Sequence, residues 1–286
     1  MSGKTFIAQH KAIRDDIGDL TTRRPVPGPA VQQVDPFLFL NHHGPQTYPP
    51  NNTGLPFGPH PHRGFETVTF ILEGGLMHRD TGGHESIIHA GGVQWMTAGS
   101  GLIHSELSPD DFKRNGGPLE ILQLWVNLPA RLKMSPPRYT GLQRNQIPVI
   151  ASDDGRVTLS LVAGAWNGHE GPIESLTGIF ASTVGMKAGG RLRLEAVGGR
   201  NVFLYVVRGS VRVEGVQMQA YMLAELSRQG ETVDIESVTD AVLLLCHGDP
   251  IGEPVAAHGP FVMNTVQEIH DAIRDYQAGK FNAPAA

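Results

Sequence analysis

The stretch His60-Pro61-His62-Arg63-Gly64-Phe65-Glu66-Thr67-Val68-Thr69-Phe70-Ile71-Leu72 decides how the rest of the chain is read. Its second half is dense in β-branched and aromatic residues, the composition of a strand, and Glu73-Gly74-Gly75 closes it as a turn. Its first half offers two imidazoles at i and i+2. Successive side chains of a strand point to opposite faces, so residues two apart look the same way. His104-Ser105-Glu106 repeats that spacing further on. On neighbouring strands the two pairs would aim three imidazoles and one carboxylate at one point, a donor set suited to a divalent transition metal.

The surroundings read as a scaffold for this. Residues 34–40, 76–79, 85–89, 93–97 and 102–107 are short apolar strand candidates, separated by glycine-rich turns at 80–83, 90–92 and 98–101. Residues 119–128 (LEILQLWVNL) alternate apolar and polar as a half-buried strand does. Asn41-His42-His43-Gly44-Pro45 reads as a turn, and residues 45–61, with six prolines, as an ordered loop leading into the histidines. Residues 129–148 are taken as a connection. The rhythm then resumes at 157–163, 177–184, 191–195, 201–207, 210–214, 221–226, 232–236 and 241–246. Such spacing indicates β-barrels or sandwiches. The expectation is an all-β chain of two domains, 1–131 and 132–286. The end differs: Thr265 with Glu268 forms a capping box, and Val266, Ile269, Ile273 and Tyr276 recur at helical spacing before Gly279. One amphipathic helix over 265–278 is expected to clamp a sheet or the domain junction.

Composition narrows the function. The net charge is −5 and no Lys/Arg block occurs, which argues against direct contact with nucleic acid, since phosphate neutralisation needs clustered cations. A single cysteine, Cys246, rules out an intrachain disulfide framework and fits a reducing compartment; it reads as a buried small hydrophobe. Residues 1–20 lack a signal-peptide core, and no apolar stretch approaches the ~20 residues that span a bilayer. A cytoplasmic location is expected, or a nuclear one in a cell with a nucleus, with no membrane partner.

Gly54-x5-His60-x-His62-x3-Glu66 is similar to the first conserved motif of the cupin superfamily. The longer string from His60 to Thr69, then Val93-Gln-Trp-Met-Thr-Ala-Gly-Ser-Gly-Leu-Ile-His-Ser-Glu106, resembles the pirin family in particular. So do Gly259-Pro-Phe-Val-Met-Asn-Thr and the closing Asp275-Tyr-Gln-Ala-Gly-Lys-Phe281. The resemblance implies two cupin β-barrels (jelly rolls) face to face, with the C-terminal helix returning to the N-terminal domain. It implies one metal, usually non-haem iron, on the residues matching His60, His62, His104 and Glu106; Mn, Co, Ni, Cu and Zn suit the same ligands. Bacterial members resemble quercetin 2,3-dioxygenases, which open a flavonol with O2 and release CO. Nuclear members act as iron-dependent co-regulators of transcription factors. Glu66 matches a metal ligand of many cupins, but in pirins that role passes to the position of Glu106. Two further departures from the patterns are Thr97, where cupins carry proline, and Asn41, where pirins often carry Asp.

Three functions are therefore weighed. The leading one is a metal-dependent dioxygenase in which Glu106 is the general base for a flavonol hydroxyl. The second is a redox-sensing regulatory protein with a protein partner, and the third a zinc-assisted hydrolase or isomerase. A monomer is expected. Arg63 and Glu66 are expected to pair or to hold the imidazoles by hydrogen bonds. Trp95, Met96, Phe65, Phe57 and Phe70 are candidates for an aromatic substrate pocket. The second barrel, without an HxH, is expected to bind no metal. His42, His43, His78, His84 and His89 are read as turn or surface residues.

Overall fold

In a computed structural model, which describes residues 2–282, the chain folds into two β units and one long C-terminal helix. Each unit pairs a seven-stranded sheet with a four-stranded one. In the first unit the large sheet runs Phe6–Lys11, Met222–Leu226, Asn201–Arg208, Ala241–Gly248, Phe180–Met186, Val157–Ala163, Val149–Ser152. Its small sheet runs Arg191–Leu194, Val233–Ser237, Ser210–Val213, Val216–Gln219. Leu159, Val184 and Leu243 of the one and Leu192, Val211 and Ile235 of the other meet in one apolar cluster. Each such side chain contributes roughly 1.5–3 kcal/mol by leaving water. This barrel is filled with hydrocarbon.

The second unit repeats the plan with a different interior. Its large sheet runs Arg138–Leu142, Val93–Thr97, Phe65–Glu73, Gly117–Asn127, Phe37–Tyr48, Thr22–Val26, Ile13–Arg14. Its small sheet runs Phe57–His62, Leu102–Leu107, Gly75–Asp80, Glu85–His89. Ile71 and Ile121 of the large sheet pack on Leu76 and Ile88 of the small one. Two residues along the same faces the interior turns polar, with Thr69 and Gln123, and that end carries the histidines.

The units do not divide where composition suggested. The first takes Arg24–Leu38 and Gln146–Pro250 together with the N-terminal residues up to Ile13; the second takes Arg14–Arg23, Phe39–Asn145 and Ile251 onward. The expected cut between 131 and 132 fails because pairing is non-local. Phe6–Lys11 adds to Met222–Leu226, and Arg138–Leu142 adds to Val93–Thr97. Nor is Asn41–Pro45 a turn. It lies inside the twelve-residue strand Phe37–Tyr48, where Gly44 (φ 83°) lets the backbone pass 2.3 Å from Leu119 O, measured from where a Cβ would stand. The helix is as expected: Val266–Gln277 starts on Thr265, with both capping-box bonds formed. Ile269 and Ala272 bury against Phe261, Met263 and Phe281, while Val266 faces solvent. Among the described residues no helix is long and apolar enough to cross a membrane.

Lys133 is a fastener of the second unit. Its ammonium is fully buried and donates to Gly64 O (2.9 Å), Asn127 Oδ1 (2.7 Å) and Val262 O (3.0 Å), and burial lowers its pKa to about 8. Lys133→Met leaves three acceptors without a donor at a cost of about 3 kcal/mol, so thermal melts should show a Tm lower by roughly 5–10 °C.

Candidate metal centre

Phe57–His62 and Leu102–Leu107 run antiparallel with His104 opposite His60 and Leu102 opposite His62. Phe57 to His60 contains one residue more than the His104–Glu106 segment it faces, a bulge at Gly58-Pro59 of the kind that re-aims side chains beside functional sites. The three rings converge: centroids are 4.4 Å apart for His60–His104, 4.8 Å for His60–His62 and 4.9 Å for His62–His104. One nitrogen from each ring lies within 4.8 Å of the other two.

Hydrogen bonds fix which nitrogens are offered. His60 Nδ1 sits 2.8 Å from Gly58 O and His62 Nδ1 3.3 Å from Pro260 O. A carbonyl only accepts, so both Nδ1 atoms carry the proton and both Nε2 lone pairs are free. His104 is buried with neither ring nitrogen hydrogen-bonded, a state that buried polar atoms rarely tolerate without a missing partner. Burial, reinforced by His60, pushes His62 down to about 3; burial and the neighbouring imidazoles hold His104 well below the usual histidine range. Neutral imidazoles are the ligating form. A divalent metal fits this donor set.

The same shifts act on stability. Below pH 6.5 the unfolded chain binds protons at these positions that the folded chain refuses, so folding weakens as pH falls toward 3. For His62 the loss at pH 5 is about 2 kcal/mol, and His104 adds to it in the same direction. Urea unfolding of metal-free protein at pH 7.5 and pH 5 should show it, and His62→Gln should shrink the difference by about 2 kcal/mol.

Glu106 shares the face of His104 but stands outside that group of three. Its Oε1 accepts from Gln94 Nε2 (2.6 Å) and Thr69 Oγ1 (3.2 Å), its Oε2 from Gln123 Nε2 (2.5 Å). These donors come from three adjacent strands in register, Gln94 and Gln123 both opposite Thr69. Glu66 points the other way. It pairs with Thr97 across the sheet and takes that hydroxyl at 2.6 Å, on the face opposite Thr67 and Thr69, where burial raises its pKa. Arg63 does not meet Glu66 either. It donates to Asp275 Oδ2 (2.9 Å) and Ser100 O (2.7 Å) and lies 4.5 Å over the Phe281 ring, tying the C-terminal segment to the residue beside His62.

Three histidines read as surface residues are buried. His42 Nε2 bonds Glu120 Oε1 (2.9 Å), His43 Nδ1 bonds Thr22 Oγ1 (2.9 Å), and His78 Nε2 bonds Asp80 Oδ2 (2.8 Å). His78 stacks on Tyr139 at 3.9 Å, with its centroid 5.4 Å from His104. Of the aromatic candidates, Trp95 and Phe70 lie on the sheet face away from the histidines, as does Glu66. Trp125, outside those candidates, is the indole beside the histidines. It lies edge-on to His62 (5.4 Å), against Phe65 (4.3 Å) and stacked on Phe39 (4.6 Å). The signal was present: Gln123, Trp125 and Asn127 share one face of LEILQLWVNL.

A pair of β-barrel units, one with a histidine cluster in a polar interior, defines a bicupin. The pirin family model matches residues 19–126, and that of the pirin C-terminal cupin domain matches residues 182–282. A pirin-like protein of Caulobacter vibrioides is 44% identical over 88% of this chain and 90% of its own length. A Pseudomonas aeruginosa protein provisionally named a quercetin 2,3-dioxygenase is 39% identical over 87% of each. The crystal structure of a quercetin 2,3-dioxygenase from Acinetobacter baumannii superposes with a TM-score of 0.91 at 32% identity, covering 99% of this chain and 100% of that one. The chain belongs to the pirin family.

Proposed function

We propose that the protein is a metal-dependent dioxygenase acting on a flavonol or a similar enolic aromatic, with the metal on His60, His62, His104 and Glu106. The observation that carries this is the buried, unpartnered His104 ring converging with two imidazoles whose Nδ1 protons are already engaged. The relatives named for quercetin 2,3-dioxygenase support the substrate class. Bound there, iron(II) would supply Lewis-acid polarisation and access to O2.

The chain's own groups do the rest. Glu106 accepts the proton of the hydroxyl next to the substrate carbonyl, as a general base. The His62 and His104 imidazoles stay neutral because they are buried. Trp125, stacked on Phe39 and backed by the buried Phe65, offers an aromatic surface to a flat ring system. The deprotonated enolate is the electron-rich partner that O2 attacks; both oxygen atoms enter the products and one ring carbon leaves as CO.

The test loads the protein with iron(II) or manganese(II) anaerobically, admits air and follows quercetin absorbance, O2 uptake and CO. Equal consumption of quercetin and O2 with one CO released is expected, with Glu106→Gln slower by about 10²–10⁴-fold. Quercetin left intact by both metal forms would overturn the reading.

A further inference from the structure

The geometry points to Gln94 and Gln123 as the positioning residues that hold the Glu106 carboxylate, leaving one Oε2 lone pair that metal and substrate hydroxyl must take in turn. This rests on the reading that Glu106 serves the metal centre. A carboxylate offers about four acceptor sites. Gln94 and Thr69 occupy the two of Oε1, and Gln123 occupies one of Oε2, with both amide contacts at 2.5–2.6 Å. What remains is monodentate by construction.

The amides are themselves oriented. Tyr139 Oη donates to Gln94 Oε1 (3.2 Å), so the Gln94 NH2 can only turn toward Glu106. Tyr139 in turn lies 2.5 Å from Ser86 Oγ, and its ring is pinned against His78. Burial pushes the phenol up to about 12, so it remains a donor throughout the working pH range. Gly141 leaves the hydroxyl its place: a Cβ there would stand 3.0 Å from Tyr139 Oη. Ser86, Tyr139 and Gln94 thus form a one-way chain of donors ending on the carboxylate. The three donors need strands 93–97, 65–73 and 117–127 in this register, so the clamp is as rigid as the sheet.

The test is a double-mutant cycle read by cobalt(II) affinity and by the visible spectrum of the cobalt protein, which reports its ligands. Gln94→Leu and Gln123→Leu should each weaken cobalt binding about 10–100-fold and alter the spectrum. In a Glu106→Gln background the same changes should have an effect within about twofold, because they act through Glu106. Tyr139→Phe, which touches no proposed ligand, should weaken binding several-fold in the wild-type background alone; it serves if a leucine variant does not fold. Equal losses in both backgrounds, or full affinity and an unchanged spectrum in folded variants, would overturn the proposal. Activity does not enter, so a protein that follows this pattern yet spares quercetin sinks only the dioxygenase reading.

Discussion

In His104→Ala, cobalt(II) or iron(II) affinity falls by about 100–1,000-fold and turnover disappears. Binding energies of about 10–16 kcal/mol for four-ligand zinc sites imply about 2.5–4 kcal/mol for each ligand. His104 should sit at the upper end. It occupies the middle strand, between Phe57–His62 and Gly75–Asp80, so no neighbouring side chain can move into its place without breaking the ladder. Thermal melts with and without metal make the measurement. At a hundredfold excess over Kd the wild-type protein gains about 2.7 kcal/mol of stability, and the variant at the same concentration gains well under 1 kcal/mol. An unchanged metal-induced shift in His104→Ala would remove His104 from the site.

How the sequence led here depends on what strand alternation can reach. Within one strand it reaches far: His60 with His62, and His104 with Glu106, are i, i+2 pairs, and both point as the period of two requires. Across Gly64 it fails. His60, His62 and Glu66 share even numbers, which taken alone places Glu66 on the site. Gly64 stands at φ 90° between two strands and resets the count, so Glu66 faces away. Between strands alternation is silent. That Gln94, Thr69 and Gln123 stand in one row is a fact of register, set by partners distant in sequence. The addition of Phe6–Lys11 to Met222–Leu226 is a fact of the same kind.

Composition misled where buried polar groups were paired. Asn41-His42-His43-Gly44-Pro45 has the residues of a turn, but His42 lies with Glu120 inside the fold, both fully buried. A histidine beside a glycine and a proline is a surface residue only if nothing inside can take its hydrogen bonds. Here Glu120 and Thr22 can, and they are remote in the chain. The helix needed no such remote knowledge. Thr265 and Glu268 satisfy each other three residues apart, which is why that boundary was readable.

Gly64→Ala should be among the most damaging single substitutions in the second unit, and Gly83→Ala supplies its control. Both glycines have similar φ, 90° and 87°, so both pay roughly 1–2 kcal/mol for a Cβ in the left-handed region. At Gly83 nothing lies within 4 Å of the added atom, and the cost stops there. At Gly64 the added atom would stand 2.0 Å from Val262 O and 2.8 Å from Met263 Sδ. Neither side can yield. Gly64 N–H donates to Gly99 O (2.8 Å), Val262 N–H donates to Arg63 O (3.0 Å), and Lys133 Nζ binds the carbonyls of both Gly64 and Val262. The cost is expected to exceed about 4 kcal/mol, lowering Tm by roughly 10 °C or more, against about 3–5 °C for Gly83→Ala. Pushing Val262 away also carries Pro260 O off His62 Nδ1, so surviving Gly64→Ala protein should bind cobalt(II) about tenfold more weakly, with Gly83→Ala at wild-type affinity. Equal Tm values for the two variants would mean that strand 261–263 is free to move, and that the C-terminal segment does not hold His62 in place.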